Sequence, residues 1–424
     1  MGLSFSKVCD DLRTRVKNDA GKVGRAIWSA AATSAVRVAR LWPGLDRDCH
    51  VEERLSGPWP SDGPYLWLHG ASLGECRMLL GLARALLEDL PNAPKILLTS
   101  QKVEVVAFLR DSLNRPTDKL DAQSAEPQIE VALAPADIPS TLEKFVRSVN
   151  PLGLILAENE LWPGYLSMLS RISPRPSIAL VSGRYRRSLP GLDFKGMALA
   201  SMQTSADLGR FSFVSKGVVP CVVGGDWKLL SWAREGARVS VPENPAVDVA
   251  FLSFHAEESE SLVDMAEQTV ALGESAVLVP RRLSEISAFR HGLLNRGLRV
   301  VEWPDVQKGA VSVVSQFGLV REVLAQSRSA VVGGSFSRCL GVHDFWEPLQ
   351  MGVSTCVGPY VRGHEDVVEM LVAAGALSQI GSAAGFASRD RAPVERVQRY
   401  LANEKKKIDE SYLLLLQFLR NILQ

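Results

Sequence analysis

The sequence predicts an α/β protein of two parallel-sheet domains of similar size, and three observations carry that prediction. From residue 64 onward, short apolar runs alternate with amphipathic helical stretches. The apolar runs are hydrophobic throughout instead of alternating with polar residues, as expected for strands covered on both sheet faces. The alternation breaks once, between Gly224 and Pro245, and then resumes.

The elements follow in order. Tyr65-Leu66-Trp67-Leu68-His69 forms a buried strand. Met78 to Leu90 forms a helix, because Leu79, Leu82, Ala83, Leu86 and Leu87 recur at helical spacing. Lys95 to Thr99 is a second strand and Val103 to Leu113 a second helix; Leu152 to Ala157 and Ser177 to Val181 are further strands. The break at Gly224 to Pro245 holds three Gly and two Pro with mixed charge, which marks a domain boundary. Beyond it come a strand at Val249 to Ser253, a helix at Glu257 to Leu272, a strand at Ala276 to Val279 and a helix at Glu285 to Gly297. Strands at Arg299 to Glu302, Ala330 to Val332 and Ser354 to Val357 follow, then a long helix from Pro393 to Leu423. The expected organisation is an N-terminal arm over 1–50, a first domain over 51–235, a second over 236–390 and a closing helix over 391–424. Open parallel sheets bind ligands beyond the carboxyl ends of their strands, so function is sought at strand-to-helix turns facing an interdomain cleft.

Composition narrows the function classes. A chain of 424 residues with 46% hydrophobic and 22% charged residues is neither disordered nor a coiled-coil rod. Lys plus Arg number 48 and Asp plus Glu 47, a balance that argues against a dedicated nucleic-acid binder. The six cysteines (Cys9, Cys49, Cys76, Cys221, Cys339 and Cys356) form no CxxC pair, no disulfide framework and no zinc motif. No run reaches the roughly 18 apolar residues of a membrane span. Residues 1–40 carry eight basic and three acidic residues. With Trp28 and Trp42, this arm suits either an anionic membrane interface or a solvated helix docked on the protein.

Six turns and one further segment are candidates for chemistry. In His69-Gly70-Ala71-Ser72-Leu73-Gly74-Glu75, Ser72 and Glu75 have capping-box spacing, and Glu75 also suits a general base. Glu158 and Glu160 stand two apart at a strand end, where they either cap the next helix or bind sugar hydroxyls and orient a basic residue. Arg184, Arg186 and Arg187 follow another strand, a cationic set suited to phosphate or carboxylate. Lys228 lies at the boundary, either as a linker lysine or as an anion ligand. Arg281 follows the strand ending at Val279, and Gly333-Gly334-Ser335 follows the strand ending at Val332. Glycines there would let backbone N–H groups approach a phosphate. In His343-Asp344-Phe345-Trp346-Glu347-Pro348, Asp344 and Glu347 again have capping spacing. His343 and Glu347 lack a third ligand, so no metal site is expected there.

In order, these segments resemble the 3-deoxy-D-manno-octulosonic acid (Kdo) transferase family. The family's H-A-x-S-x-G-E is His69 to Glu75, its E-x-E-L-W-P is Glu158 to Pro163, and its G-N-x-K becomes Gly225-Asp226-Trp227-Lys228. Its S-x-H followed by acids is Ser253-Phe254-His255-Ala256-Glu257-Glu258, and its V-P-R is Val279-Pro280-Arg281. Its V-G-G-S is Val332 to Ser335, and its H-N-x-x-E-P is His343 to Pro348, with Asp344 in place of Asn. The resemblance implies a GT-B fold, two Rossmann-like domains around a cleft, with the last helix returning to the first domain. It implies inverting transfer of Kdo from CMP-Kdo to a lipid A precursor at the cytoplasmic face of the inner membrane, with no bound metal, no cofactor and no nucleic acid. Glu75 would be the base. Ser72, Glu158, Glu160, Arg184, Lys228, Arg281, Gly334, Ser335, His343, Asp344 and Glu347 would bind substrate, with Glu347 on the ribose. The rival readings are a nucleotide-sugar epimerase on the same fold and a non-catalytic binding relative.

Overall fold

The computed structural model describes residues 50–90, 92–114, 128–185, 192–235, 239, 244–386 and 394–423. The basic arm, apart from His50, and Arg186 and Arg187 lie outside the described residues. The chain divides into two compact units, one of residues 1–233 with 406–424 and the other of residues 234–405.

In the first unit, seven strands form one parallel sheet. They are β1 (Tyr65–His69), β2 (Lys95–Ser100), β3 (Ile129–Leu133), β4 (Pro151–Ala157), β5 (Ser177–Gly183), β6 (Met197–Met202) and β7 (Cys221–Val223), and they lie in the order β3-β2-β1-β4-β5-β6-β7. The winding reverses between β1 and β4, which pair in parallel with Trp67 opposite Leu154. β1 is buried at every position because helices cover both sheet faces. Trp67 packs 4.6 Å from Phe145 and 4.9 Å from Tyr165, and its Nε1 donates to Thr99 Oγ1 at 2.8 Å. Burial of each such ring contributes about 1.5–3 kcal/mol, and the indole N–H is not left unpaired. The helix Val394–Leu423 joins this core through its second half. Trp227 Nε1 donates to Ser411 Oγ at 3.2 Å, and Tyr412 Oη donates to Asp89 at 2.8 Å.

The second unit repeats the plan with β8 (Val247–Phe254), β9 (Ala276–Pro280), β10 (Arg299–Glu302), β11 (Ala310–Val313), β12 (Ser327–Val332), β13 (Ser354–Val357) and β14 (Ser378–Gln379). Its parallel order is β10-β11-β9-β8-β12-β13-β14, and the winding reverses between β8 and β12. Phe251, Phe254, Met265 and Phe289 are fully buried in its core. No helix among the described residues is long and apolar enough to cross a membrane.

Candidate active site

Where winding reverses, the loops leaving two neighbouring strands part in opposite directions and open a crevice at their carboxyl ends. In the first unit those strands are β1 and β4, and the loops that leave them carry His69 to Glu75 and Glu158 to Glu160. The turn after β1 starts the helix Leu73–Asp89 with a complete capping box. Ser72 Oγ accepts the Glu75 N–H at 3.2 Å, and Glu75 Oε2 accepts from Ala71 N at 2.7 Å and Ser72 N at 3.3 Å. The cap and the candidate base are therefore the same side chain. Glu75 is nonetheless held above its ordinary range. Burial opposes its charge, the nearby Glu160 carboxylate repels it, and these outweigh the amide hydrogen bonds and Lys228.

Glu160 lies under the same turn. Its Oε2 accepts from Trp162 Nε1 at 2.6 Å and stands 3.6 Å from His69 Nε2. His69 is wholly buried, with Nδ1 2.9 Å from Thr99 Oγ1. Glu158 takes a different role. It is buried, its backbone φ is +48°, and its carboxylate meets both Arg184 Nη2 and Lys228 Nζ, the latter at 2.8 Å. A buried carboxylate between two cations is neutralised and positions them. Thus one acid of the pair orients bases and the other repels Glu75; neither caps the helix that follows, whose N-cap is Trp162.

Lys228 reaches this cluster because the turn before it is tied down. Asp226 Oδ1 accepts from Lys228 N at 3.1 Å and from Ser182 Oγ at 3.2 Å. Asp226 caps the short turn Trp227–Leu229, a task Asn and Asp perform about equally. The lysine tail passes over Gly74, where an added Cβ would lie 3.5 Å from Cε.

The second unit gathers Arg281, Gly334, Ser335 and His343 at the ends of β9, β8 and β12. Here the structure corrects one expectation. The Gly334 N–H, expected to meet a phosphate, donates instead to Glu258 Oε2 at 2.8 Å, and Phe336 N donates to Glu258 Oε1 at 2.9 Å. The same Oε2 also takes His255 N at 3.1 Å. The acid fills the nest because the turn folds back onto β8. A Cβ on Gly333 would lie 2.7 Å from Phe254 Cα, and one on Gly334 (φ +76°) would lie 2.2 Å from Gly341 O. The Ser335 hydroxyl is likewise internal, donating to Val332 O at 2.5 Å and accepting from Gly358 N at 2.8 Å. His343 Nε2 lies 2.7 Å from His255 Nε2. Burial, then the nearby Arg281 charge, then His255 hold His343 down to about 3, so it is neutral near pH 7.

Asp344 and Glu347 stand at the start of the helix Trp346–Gln350. Asp344 Oδ1 accepts from Trp346 N at 2.9 Å and Glu347 N at 3.4 Å. Glu347 is half-buried, with Oε1 3.9 Å from Arg321 Nε. Reading the turns singly missed Glu258, His69 and Thr99. The acids after His255 and the histidine closing β1 were visible, but their partners lie far along the chain.

The family model for 3-deoxy-D-manno-octulosonic-acid transferase (kdotransferase) matches residues 49–214. A 3-deoxy-D-manno-octulosonic acid transferase of Aquifex aeolicus is 27% identical over 315 residues, covering 73% of this chain and 80% of its own. One from Chlamydia pneumoniae is 22% identical over 346 residues, covering 75% and 74%. Among solved structures, the C-terminal CMP-Kdo binding domain of WaaA from Acinetobacter baumannii matches with a TM-score of 0.30 and 20% identity, over 46% of this chain and 99% of that one. Two parallel-sheet α/β units, together with the sequence matches to these transferases, mark the protein as a glycosyltransferase. More narrowly, the sequence matches are to 3-deoxy-D-manno-octulosonic acid transferases.

Proposed function

We propose that the protein transfers Kdo from CMP-Kdo to a lipid A precursor with inversion at the anomeric carbon. The observation that carries the reading is Glu75, a buried carboxylate at the β1–β4 switch point whose proton affinity is raised by burial and Glu160. A general base gains when its pKa approaches the working pH. Glu75 Oε2 accepts the two amides of its own turn, so Oε1 is the oxygen that takes the proton from the acceptor hydroxyl. The hydroxyl oxygen then bonds to the anomeric carbon of Kdo as the bond from that carbon to the CMP phosphate oxygen breaks. The bonding pair leaves with CMP.

Negative charge grows on that phosphate, and cations already in place stabilise it without reorganising. Arg281, exposed at the end of β9, suits this task. Arg184 and Lys228, oriented by Glu158, suit acidic groups of the sugars or the acceptor. Glu347 is assigned to the ribose. With the Gly334 amide taken by Glu258, the turn after β12 acts by shape and by the amide of Ser335. The acceptor is a lipid, so the enzyme works at the cytoplasmic face of the inner membrane, with the basic arm as the attachment. The test is CMP release from CMP-Kdo with a lipid A precursor. Glu75→Gln should lose about 10²–10⁴-fold in rate, the usual weight of a general base. A variant with turnover near wild type removes Glu75 from the role. Product formed without an acceptor would support epimerisation instead.

A further inference from the structure

At the carboxyl ends of β8 and β9, three side chains that the transfer reaction does not use come together. His255, Glu257 and Glu285 each offer a ligand atom, and all three atoms lie within 4.8 Å of one another. The strands are paired in parallel, with Phe254 opposite Pro280, so the turns that leave them emerge side by side. His255 directly follows β8, Glu257 lies in the turn Ala256–Glu258, and Glu285 ends the turn Leu283–Glu285.

The hydrogen bonding of this cluster is incomplete. His255 is only 6% exposed, its Nε2 is engaged by His343, and its buried Nδ1 has no hydrogen-bond partner among the described residues. Glu285 Oε1 meets Arg282 Nη1 at 3.3 Å, but its buried Oε2 has no partner among the described residues either. Two orphaned polar atoms in one small cluster are costly. Neither tautomer of His255 repairs this from within the described residues. As an N–H, Nδ1 finds no acceptor at hydrogen-bond distance among the described residues; as a lone pair, it finds no donor there either. A cation satisfies the lone pair and both acids together.

We propose that His255, Glu257 and Glu285 bind a first-row divalent cation of the zinc or manganese type. One imidazole nitrogen and two carboxylate oxygens are a borderline donor set, harder than thiolate sites and softer than all-oxygen ones. The His343 contact has the form of an outer-shell bond, in which a ligating histidine donates from its other nitrogen and is held in one tautomer. The backbone of His255 is held as well, by Glu258. Bonds of about 2.0–2.2 Å place donors near 3.4 Å apart, and the exposed Glu257 side chain can supply the small closing movement. Three protein ligands leave a coordination position for water or an anion.

The test uses full-length protein stripped with a chelator and titrated with Co²⁺, read by visible absorption, with Zn²⁺ as competitor. One saturable equivalent is expected, with the d–d bands of nitrogen and oxygen ligands and no thiolate charge-transfer band. Glu257→Gln, at an exposed position, should weaken binding by at least about tenfold, and His343→Ala by about 10–100-fold. Circular dichroism of the metal-free variants checks that they are folded. No saturable binding, a thiolate band, or unchanged affinity in Glu257→Gln would each overturn the assignment. The readout is metal binding, so it stands or fails separately from Kdo transfer.

Discussion

Glu258 offers a prediction whose size follows from three distances. Its carboxylate is 1% exposed and accepts N–H groups from Gly334 at 2.8 Å, Phe336 at 2.9 Å and His255 at 3.1 Å. Two of these donors lie 76 and 78 residues away, so the side chain joins the end of β8 to the turn after β12. Glu258→Ala orphans all three donors. At about 1–3 kcal/mol per buried unpaired N–H, less whatever entering water recovers, the loss is about 3–6 kcal/mol. Glu258→Gln keeps one acceptor oxygen and turns an NH₂ toward a donor, which costs about 1–3 kcal/mol. Urea unfolding followed by circular dichroism measures both, as a shift in midpoint at constant slope. A Glu258→Gln variant within about 0.5 kcal/mol of wild type would refute the claim that this acid holds the glycine turn.

Further expectations concern the first unit and the departures from the family pattern. Glu160 raises the Glu75 pKa by repulsion. A base must be unprotonated, so a raised pKa moves the acid limb of kcat/KM upward, and Glu160→Gln should move that limb to lower pH; an unmoved or raised limb contradicts the coupling. The same sign applies to stability. A carboxyl whose folded-state pKa is raised favours folding while protonated, and that contribution is lost as pH rises through the folded value. In Glu75→Gln the loss should disappear, which urea midpoints measured across pH will show. Ser72→Ala removes the acceptor of the Glu75 N–H and should cost about 1 kcal/mol in unfolding free energy. Asp344→Asn should change stability by less than about 0.5 kcal/mol, because Asp344 is exposed and acts through a cap that Asn also makes.

What could be seen in the sequence were features carried by neighbours in the chain. β1 stood out as five apolar or aromatic positions, and the capping box after it as a Ser and a Glu three apart. β3 and β6 were harder to see. Ile129-Glu130-Val131 carries a charge within the run, and Met197-Ala198-Leu199-Ala200 has no β-branched residue to mark it as a strand. The capping reading at Ser72 could be checked locally and its box is complete, whereas at Asp344 the carboxylate accepts from Trp346 N and Glu347 N one residue ahead of the N-cap, Phe345. The roles of Glu158 and Glu160 could not, because they depend on Arg184, Lys228 and His69, which topology brings from β5, from beyond β7 and from β1. The glycine turn misled for the same reason. Gly-Gly-Ser signals available amides, but not that an acid from 76 residues earlier already occupies one of them.

Transfer of Kdo from CMP-Kdo onto a lipid acceptor can be read from mass spectrometry of the lipid after incubation with purified protein, CMP-Kdo and a lipid A precursor. The acceptor mass should increase by whole Kdo units, with CMP released in equal number and no product from Glu75→Gln on the same timescale. An unmodified acceptor with no CMP released, from folded protein, would contradict it.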